Sequence, residues 1–307
     1  MVWAMNKAQA TYHEPVLLQA SIDALAIRPD GVYVDATFGG GGHSRAILRE
    51  LGPQGVLIAF DRDADARRNA PQDHRFTLVP SDFRWMANHL RFLGHPQVDG
   101  LLADLGVSSH QFDTADRGFS FRFDAPLDMR MDRRATRTAA DLVNALDEAA
   151  LAVLFRTYGE VDRPHLVARA VVQARAKAPL ANTGELAAAV APLAKRGEEH
   201  AHLARVFQAL RIAVNDELAA LEQLLTASSR VVKQGGRLAV MSYHSLEDRL
   251  VKDWMRSGDL RGVEAKDAFG RSLRPFKPIG KAQQPSPQEQ ARNPRARSAR
   301  LRTAERL

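Results

Sequence analysis

No cysteine occurs in the 307 residues. Disulfides, thiolate metal ligands and a cysteine nucleophile are therefore excluded, a composition that fits a reducing compartment. There is no run of about 18 apolar residues, and the opening stretch MVWAMNKAQATYHEP lacks the apolar core of a secretory signal. These absences predict a soluble cytoplasmic protein with no membrane association. Metal-ligand spacing is also missing: the 10 histidines are scattered. What is present is a hydrophobic fraction of 45%, ordinary for a folded chain and enough to exclude a disordered one. The length suggests two domains, or one domain carrying an insertion.

Charge is unevenly placed. The formal net charge is +7, yet from Asp248 onward there are 15 Lys+Arg against 7 Asp+Glu, so the surplus belongs to the last 60 residues. A local basic excess attracts polyanions by counterion release, although many such runs are only solvated surface.

Short apolar runs bounded by Gly, Pro or Asp recur in the first third: Gly31–Thr37, Gly55–Asp61, Arg75–Pro80 and Val98–Leu105. They read as strands. Helix-length stretches at 15–27, 43–51, 64–70 and 84–93 separate them, and that alternation predicts a parallel α/β sheet. The alternation stops at an irregular segment, Phe112–Asp132, and only helical patterns follow, at 139–145, 148–156, 166–177, 184–190 and 201–228. A further strand is expected at Gly236–Tyr243, after the Gly235-Gly236 turn, and period two over Ser298–Thr303 suggests a closing strand. The fold class expected is therefore a Rossmann-like α/β sheet with an inserted all-helical domain. Its divisions are a first sheet part at 1–112, the insert at 113–230 and a second sheet part with a basic tail at 231–307. On the closing strand, Arg300 and Arg302 serve equally as a solvated face or as RNA contacts.

The sharpest local signal is Asp35-Ala-Thr-Phe-Gly-Gly-Gly-Gly-His43, where a strand ends in an acid, a glycine turn follows and a helix begins. Such a turn lets a ligand approach the backbone at a helix N-terminus. A dinucleotide site wants a third fingerprint glycine where His43 and Ser44 stand, and Asp35 would oppose a pyrophosphate. S-adenosylmethionine meets neither difficulty, because its methionine end carries an ammonium and a sulfonium, while Asp61 can hold the ribose hydroxyls. Asp104, at the end of the fourth strand, is delivered to the same crevice, or else caps a turn. Phe83 would cover an adenine ring, or simply fill core.

The blocks HEPVLL (13–18), DATFGGGGHS (35–44), FDRD (60–63), LLADLGVSS (101–109), RGFSF (117–121), PLDMRMD (126–132), FQALRIAVNDEL (207–218), GGRLAVMSYHSLEDR (235–249) and NPRARSARLR (293–302) run in order along the chain. Together they resemble the bacterial ribosomal RNA small subunit methyltransferase H family. The resemblance implies a class I S-adenosylmethionine-dependent methyltransferase that methylates the exocyclic N4 of a cytosine in 16S rRNA, in the decoding region of the small ribosomal subunit. It further implies that Gly41, Gly42, His43, Asp61, Phe83, Asp104 and Gln111 bind the cofactor. The family usually shows Pro where His110 stands, and HPATR where this chain has Ala201-His-Leu-Ala-Arg205.

A cytosine amine is a poor nucleophile, so its methylation needs positioning and an acceptor for an N4 proton. Asp104 is the candidate catalytic acceptor, alongside its cofactor-binding role. Ser245 and Asp248 fit an S-x-x-D capping box, which leaves Tyr243 and His244 as partners for a flipped base. Phe119, Phe121 and Phe123 either stack on RNA or anchor their loop to a core. The expected partner is 16S rRNA within the small subunit, and a homodimer is left open. Competing readings keep the fold but change the substrate to another RNA or a protein amine, or make the chain a ribosome assembly factor with a vestigial cofactor site. A nicotinamide-linked oxidoreductase fits least.

Overall fold

The computed structural model describes residues 15–307, so His13 and Glu14 of the HEPVLL block and most of the opening stretch lie outside the described residues. The first half of the sheet alternates as its sequence suggests: α1 (Leu18–Leu25), β1 (Val32–Asp35), α2 (Gly42–Glu50), β2 (Val56–Phe60), β3 (Phe76–Val79), α3 (Met86–Phe92) and β4 (Val98–Asp104). A short α4 (Ser109–Asp113) opens the insert, which continues through α5 (Ala139–Ala145), α6 (Glu148–Gly159), α7 (Pro164–Arg175), α8 (Thr183–Val190) and α9 (Glu199–Asn215). Then α10 (Glu217–Val231), β5 (Val232–Ser242), α11 (Ser245–Ser257), β6 (Phe276–Pro278), α12 (Pro287–Arg292) and β7 (Arg300–Arg306) close the chain. Among the described residues no helix is long and apolar enough to cross a membrane.

Seven strands form one sheet in the order β3-β2-β1-β4-β5-β7-β6. The first five are parallel, and β7 runs antiparallel between β5 and β6. Neighbouring residues of each strand serve opposite faces. Val34, Ile58, Leu101 and Val240 pack with α3, α10 and α11, whereas Tyr33, Leu57, Leu102 and Ala239 pack with α1 and α2. A strand buried on both sides must be apolar at every position, which is why these runs are nearly continuous. The order reverses between β1 and β4, and in open parallel sheets the crevice beyond the strand ends at that reversal is where ligands bind.

The insert has its own core, built from Phe119, Leu127, Met129, Leu142, Leu151, Phe155, Val167, Leu186, Val206 and Leu210 among others. Phe119 and Phe121 belong to it, Phe121 lying 5.2 Å from the Phe207 ring, while Phe123 is exposed. The helix expected over 201–228 is two helices. Asp216 takes a left-handed conformation (φ 51) and breaks it, so that α9 packs in the insert and α10 places Leu221, Leu224 and Leu225 in the sheet core. We propose that the insert ends at this break rather than at 230. The stretch at 64–70 is a 3₁₀ helix, Ala64–Asn69, and β6 and α12 had no expectation. β5 starts at Val232, ahead of the Gly235-Gly236 pair.

The tripeptide closing β2 ties this body together. Arg62 donates to the Asn215 carbonyl (2.9 Å) and pairs with Asp82 (3.0 Å), and Asp63 pairs with the fully buried Arg117 at 2.7 Å. Arg117 also donates to the carbonyls of Arg130 and Met131. Asn215 donates to the Met129 carbonyl and accepts from the Met131 amide, each at 2.7 Å. Both ends of the insert are thereby fastened to the loop after β2.

Candidate active site

A cavity of about 630 Å³ opens beyond the carboxyl ends of β1, β2, β4 and β5, with Gly42, His43, Asp61, Phe83, Asp104 and Gln111 in its wall. Gly39 and Gly40 line it as well, whereas Gly41 stands behind the wall as the residue preceding α2, at φ 73. The glycines at 41 and 42 are demanded by packing. A Cβ on Gly41 would meet the Phe38 ring at 2.8 Å, and one on Gly42 would meet Pro15 Cγ at 2.1 Å.

The acids are held by the backbone and by short side chains. Asp61 accepts from the Gly39 amide (2.7 Å) and the Asp63 amide (2.8 Å). Burial pushes its carboxyl up to about 6, against those two amide bonds. Asp35 accepts from Ser44 Oγ at 2.7 Å and from the Thr37 amide, and burial raises it despite the nearby His43. Asp35 therefore anchors the glycine turn from behind. Asp104 accepts a hydrogen bond from Tyr243 Oη at 2.8 Å, and its other oxygen lies 3.7 Å from His43 Nδ1. Burial pushes Asp104 up to about 6, opposed by His43 and Tyr243, and burial together with the Asp104 charge holds the Tyr243 phenol well above its ordinary range.

His43 Nε2 is buried and has no hydrogen-bond partner among the described residues. Two half-buried acids, Asp61 and Asp104, and one orphaned ring nitrogen on the same wall fit a cationic, hydroxyl-bearing ligand, because each would gain what it lacks. Gln111 is more committed. Its Oε1 accepts from the Ser108 amide in a capping box at the start of α4, and its Nε2 donates to Asp63 at 2.7 Å. His110 is exposed and faces Asp65 at 3.4 Å.

The wall beyond Asp104 holds residues that pattern reading singled out only in part or not at all: Arg211, Glu217, Tyr243 and Glu247. Glu247 accepts from the Tyr243 amide (2.9 Å), and His244 Nδ1 accepts from the Glu247 amide, so the residue before α11 caps it. The capping box expected from Ser245 and Asp248 is corrected accordingly. Asp248 instead binds Arg302 through both oxygens (2.7 and 3.0 Å) and Arg300 at 3.3 Å, and Ser245 donates to Glu160. Glu217, His244 and Glu247 converge closely enough to resemble metal ligands. Arg211 already engages both oxygens of Glu217, however, and charge is balanced there by protein groups. Arg295 is paired with Asp113 and lies 5.1 Å over the Phe112 ring.

Comparison with known proteins gives a family. The model of the MraW methylase family matches residues 10–307. The ribosomal RNA small subunit methyltransferase H of Cytophaga hutchinsonii is 53% identical over 297 residues, 96% of this chain and 99% of that protein. The protein of the same name from Parabacteroides distasonis is 51% identical, covering 99% of this chain and 100% of its own length. Among solved structures, TrmN from Thermus thermophilus matches 95% of this chain and 48% of its own, at 13% identity and a TM-score of 0.42, a likeness too loose to bear on function.

Proposed function

This chain belongs to the MraW methylase family, and on that premise we propose that it transfers the methyl group of S-adenosylmethionine to the exocyclic N4 of a cytosine in the 16S rRNA of the small ribosomal subunit, in its decoding region. When bound, the cofactor supplies an electrophilic methyl carbon on a cationic sulfur. Asp61 would hold the ribose hydroxyls and Phe83 would cover the adenine, while the Gly39–His43 turn approaches the methionine end. The methyl would pass to the N4 lone pair, with the C–S electron pair staying on sulfur. One N4 proton leaves the amine, and Asp104 accepts it.

The observation that carries this reading is the setting of Asp104. A carboxyl at about 6 is mostly ionised at neutral pH yet basic enough to take a proton in the transition state, the match that general-base catalysis favours. Tyr243 Oη fixes one oxygen, while the other, 3.7 Å from His43 Nδ1 and so beyond hydrogen-bond reach of it, would face the amine. Arg297, next in the chain to the pocket residue Ser298, is exposed and has no ion-pair partner among the described residues, consistent with an RNA substrate extruded from its stack into the cavity. The test is methyl transfer from labelled S-adenosylmethionine to small subunits that lack the modification. Label recovered as N4-methylcytosine is expected. Absence of label in RNA, with cofactor binding demonstrated, overturns the proposal.

A further inference from the structure

The residues named so far leave one wall of the cavity unused, where the α9–α10 junction meets the start of α11. Arg211 and Glu217 stand there, beside Glu247 and Tyr243. Arg211 donates from Nε and Nη2 to the two oxygens of Glu217, at 3.0 and 3.1 Å. That fork fixes the plane of the guanidinium. Its third nitrogen, Nη1, has no acceptor among the described residues, although the side chain is only 16% exposed. Nη1 opens onto the cavity rather than lying buried, and so is available to a ligand.

The chemistry of that ligand follows from the neighbouring charges. Glu217 and Glu247 are both buried, and Glu247 stays below the usual carboxylate range in spite of its burial because His244 and Arg211 face it. Two carboxylates face one guanidinium and His244, so the wall has no positive charge to spare. A phosphate or a carboxylate gains nothing there, whereas a neutral group offering lone pairs is accepted. A cytosine ring has that pattern: a donor amine at N4, then acceptors at N3 and O2 along the same edge. Uracil reverses the first two.

Resting on the cytosine-N4 reading above, we propose that Arg211, held in plane by Glu217, donates to the N3 and O2 edge of the extruded cytosine while Asp104 faces its amine. Arg211 is then a specificity-determining residue that orients the amine. Base reading falls to the α9–α10 junction of the insert, and the cofactor is held by the first half of the sheet.

The test is a cycle between one side chain and one ring atom. Small subunits are prepared unmodified, with either cytidine or 3-deazacytidine at the target, and kcat/KM is measured for the native protein and for Arg211→Gln and Arg211→Lys. For the native protein the missing N3 lone pair should cost about 10- to 100-fold beyond its effect on the variants, the range for one hydrogen bond to a charged donor. The comparison cancels any change in intrinsic amine reactivity. Arg211→Lys should behave as Arg211→Gln, because an ammonium cannot be held in plane by Glu217. Should the Arg211 variants fail to fold, Glu217→Gln, which frees the guanidinium without removing its charge, is expected to shrink the same native penalty. Equal sensitivity to the deaza base in native and variant proteins overturns the proposal. So does a weaker affinity of Arg211→Gln for S-adenosylmethionine that matches its loss of turnover, which would assign Arg211 to the cofactor. Digestion of the native product to nucleosides reads the parent proposal separately: methyl at a position other than N4 refutes the reaction, whereas N4-methylcytosine formed without coupling refutes only the role of Arg211.

Discussion

Tyr243, one residue past β5, donates its phenolic proton to Asp104, the last residue of β4, across 2.8 Å. Adjacent parallel strands deliver the two side chains to one point. The bond favours the ionised carboxylate and opposes the burial that raises it. Removing it in Tyr243→Phe should therefore shift Asp104 further up, moving the acidic limb of the kcat profile to higher pH. Turnover should fall several-fold more at pH 6 than at pH 8. A pH profile displaced downward, or unchanged in shape, contradicts the assignment.

Asp104→Asn should lower kcat on unmodified small subunits by roughly 10²- to 10⁴-fold, the usual contribution of a positioned base. Cofactor affinity, measured by calorimetry, should change far less. Parallel losses in both quantities would reduce Asp104 to a binding residue.

The buried acids make cofactor-free stability depend on pH in an unusual direction. Asp61 and Asp104 at about 6, and Asp35 also raised, bind more protons folded than unfolded between roughly pH 4 and 6. Where the folded state holds the extra protons, stability falls as pH rises. The melting temperature of the cofactor-free protein should thus increase as pH is lowered from 7 toward 5. Affinity for S-adenosylmethionine should weaken over the same interval, because its cationic groups favour the ionised acids. Scanning fluorimetry and calorimetry across one buffer series measure both slopes, and slopes of the same sign would refute the linkage.

Asp248→Asn should cost about 1–3 kcal/mol of stability, as expected for loss of a hydrogen-bonded partner to a charged group, since the carboxylate joins α11 to β7 through Arg302 and Arg300. Chemical denaturation would show it. Turnover measured below the melting transition should be nearly unchanged, which separates this residue from its neighbours in the SYHSLEDR block.

Salt dependence sorts the basic tail. Arg297 is exposed, and Arg300 is committed to Asp248. Arg297→Gln should flatten the salt slope of subunit binding by about one unit, and Arg300→Gln should leave it alone. The opposite ranking would mean that the ion pair opens on binding.

Much of this molecule is legible in its sequence because the physics is local. Apolar runs ending in Asp35, Asp61 and Asp104 gave strands together with two crevice acids and the acid that anchors the glycine turn, since a strand buried on both faces has one place to turn polar, its end. The helical insert announced itself by the loss of alternation after Asp104. What stayed hidden depends on long-range contacts. Nothing near Asp216 marks a helix break, which is enforced by Asn215 reaching a loop over 80 residues earlier in the chain. The Ser245-to-Asp248 spacing satisfies a local capping rule, yet Asp248 finds arginines more than 50 residues away. Arg211 and Glu217, six residues apart, would fall on different faces of one continuous helix, and only the turn between α9 and α10 brings them together on a cavity wall. Phe276 is a lone apolar residue in a Pro- and Lys-rich stretch, and only its place beside β7 makes it core.

The tripeptide Asp61-Arg62-Asp63 sets a rule for recombination between relatives of this protein. A chimera that exchanges the helical insert alone, with breakpoints at its two chain connections, hands Arg62 and Asp63 new partners in place of Asn215 and Arg117. Arg62 would keep Asp82, but the buried carboxylate of Asp63, next to Asp61, would lose its guanidinium. The insert is therefore inherited as a cassette with the loop after β2, although some 45 residues separate Asp63 from α4, where the insert opens.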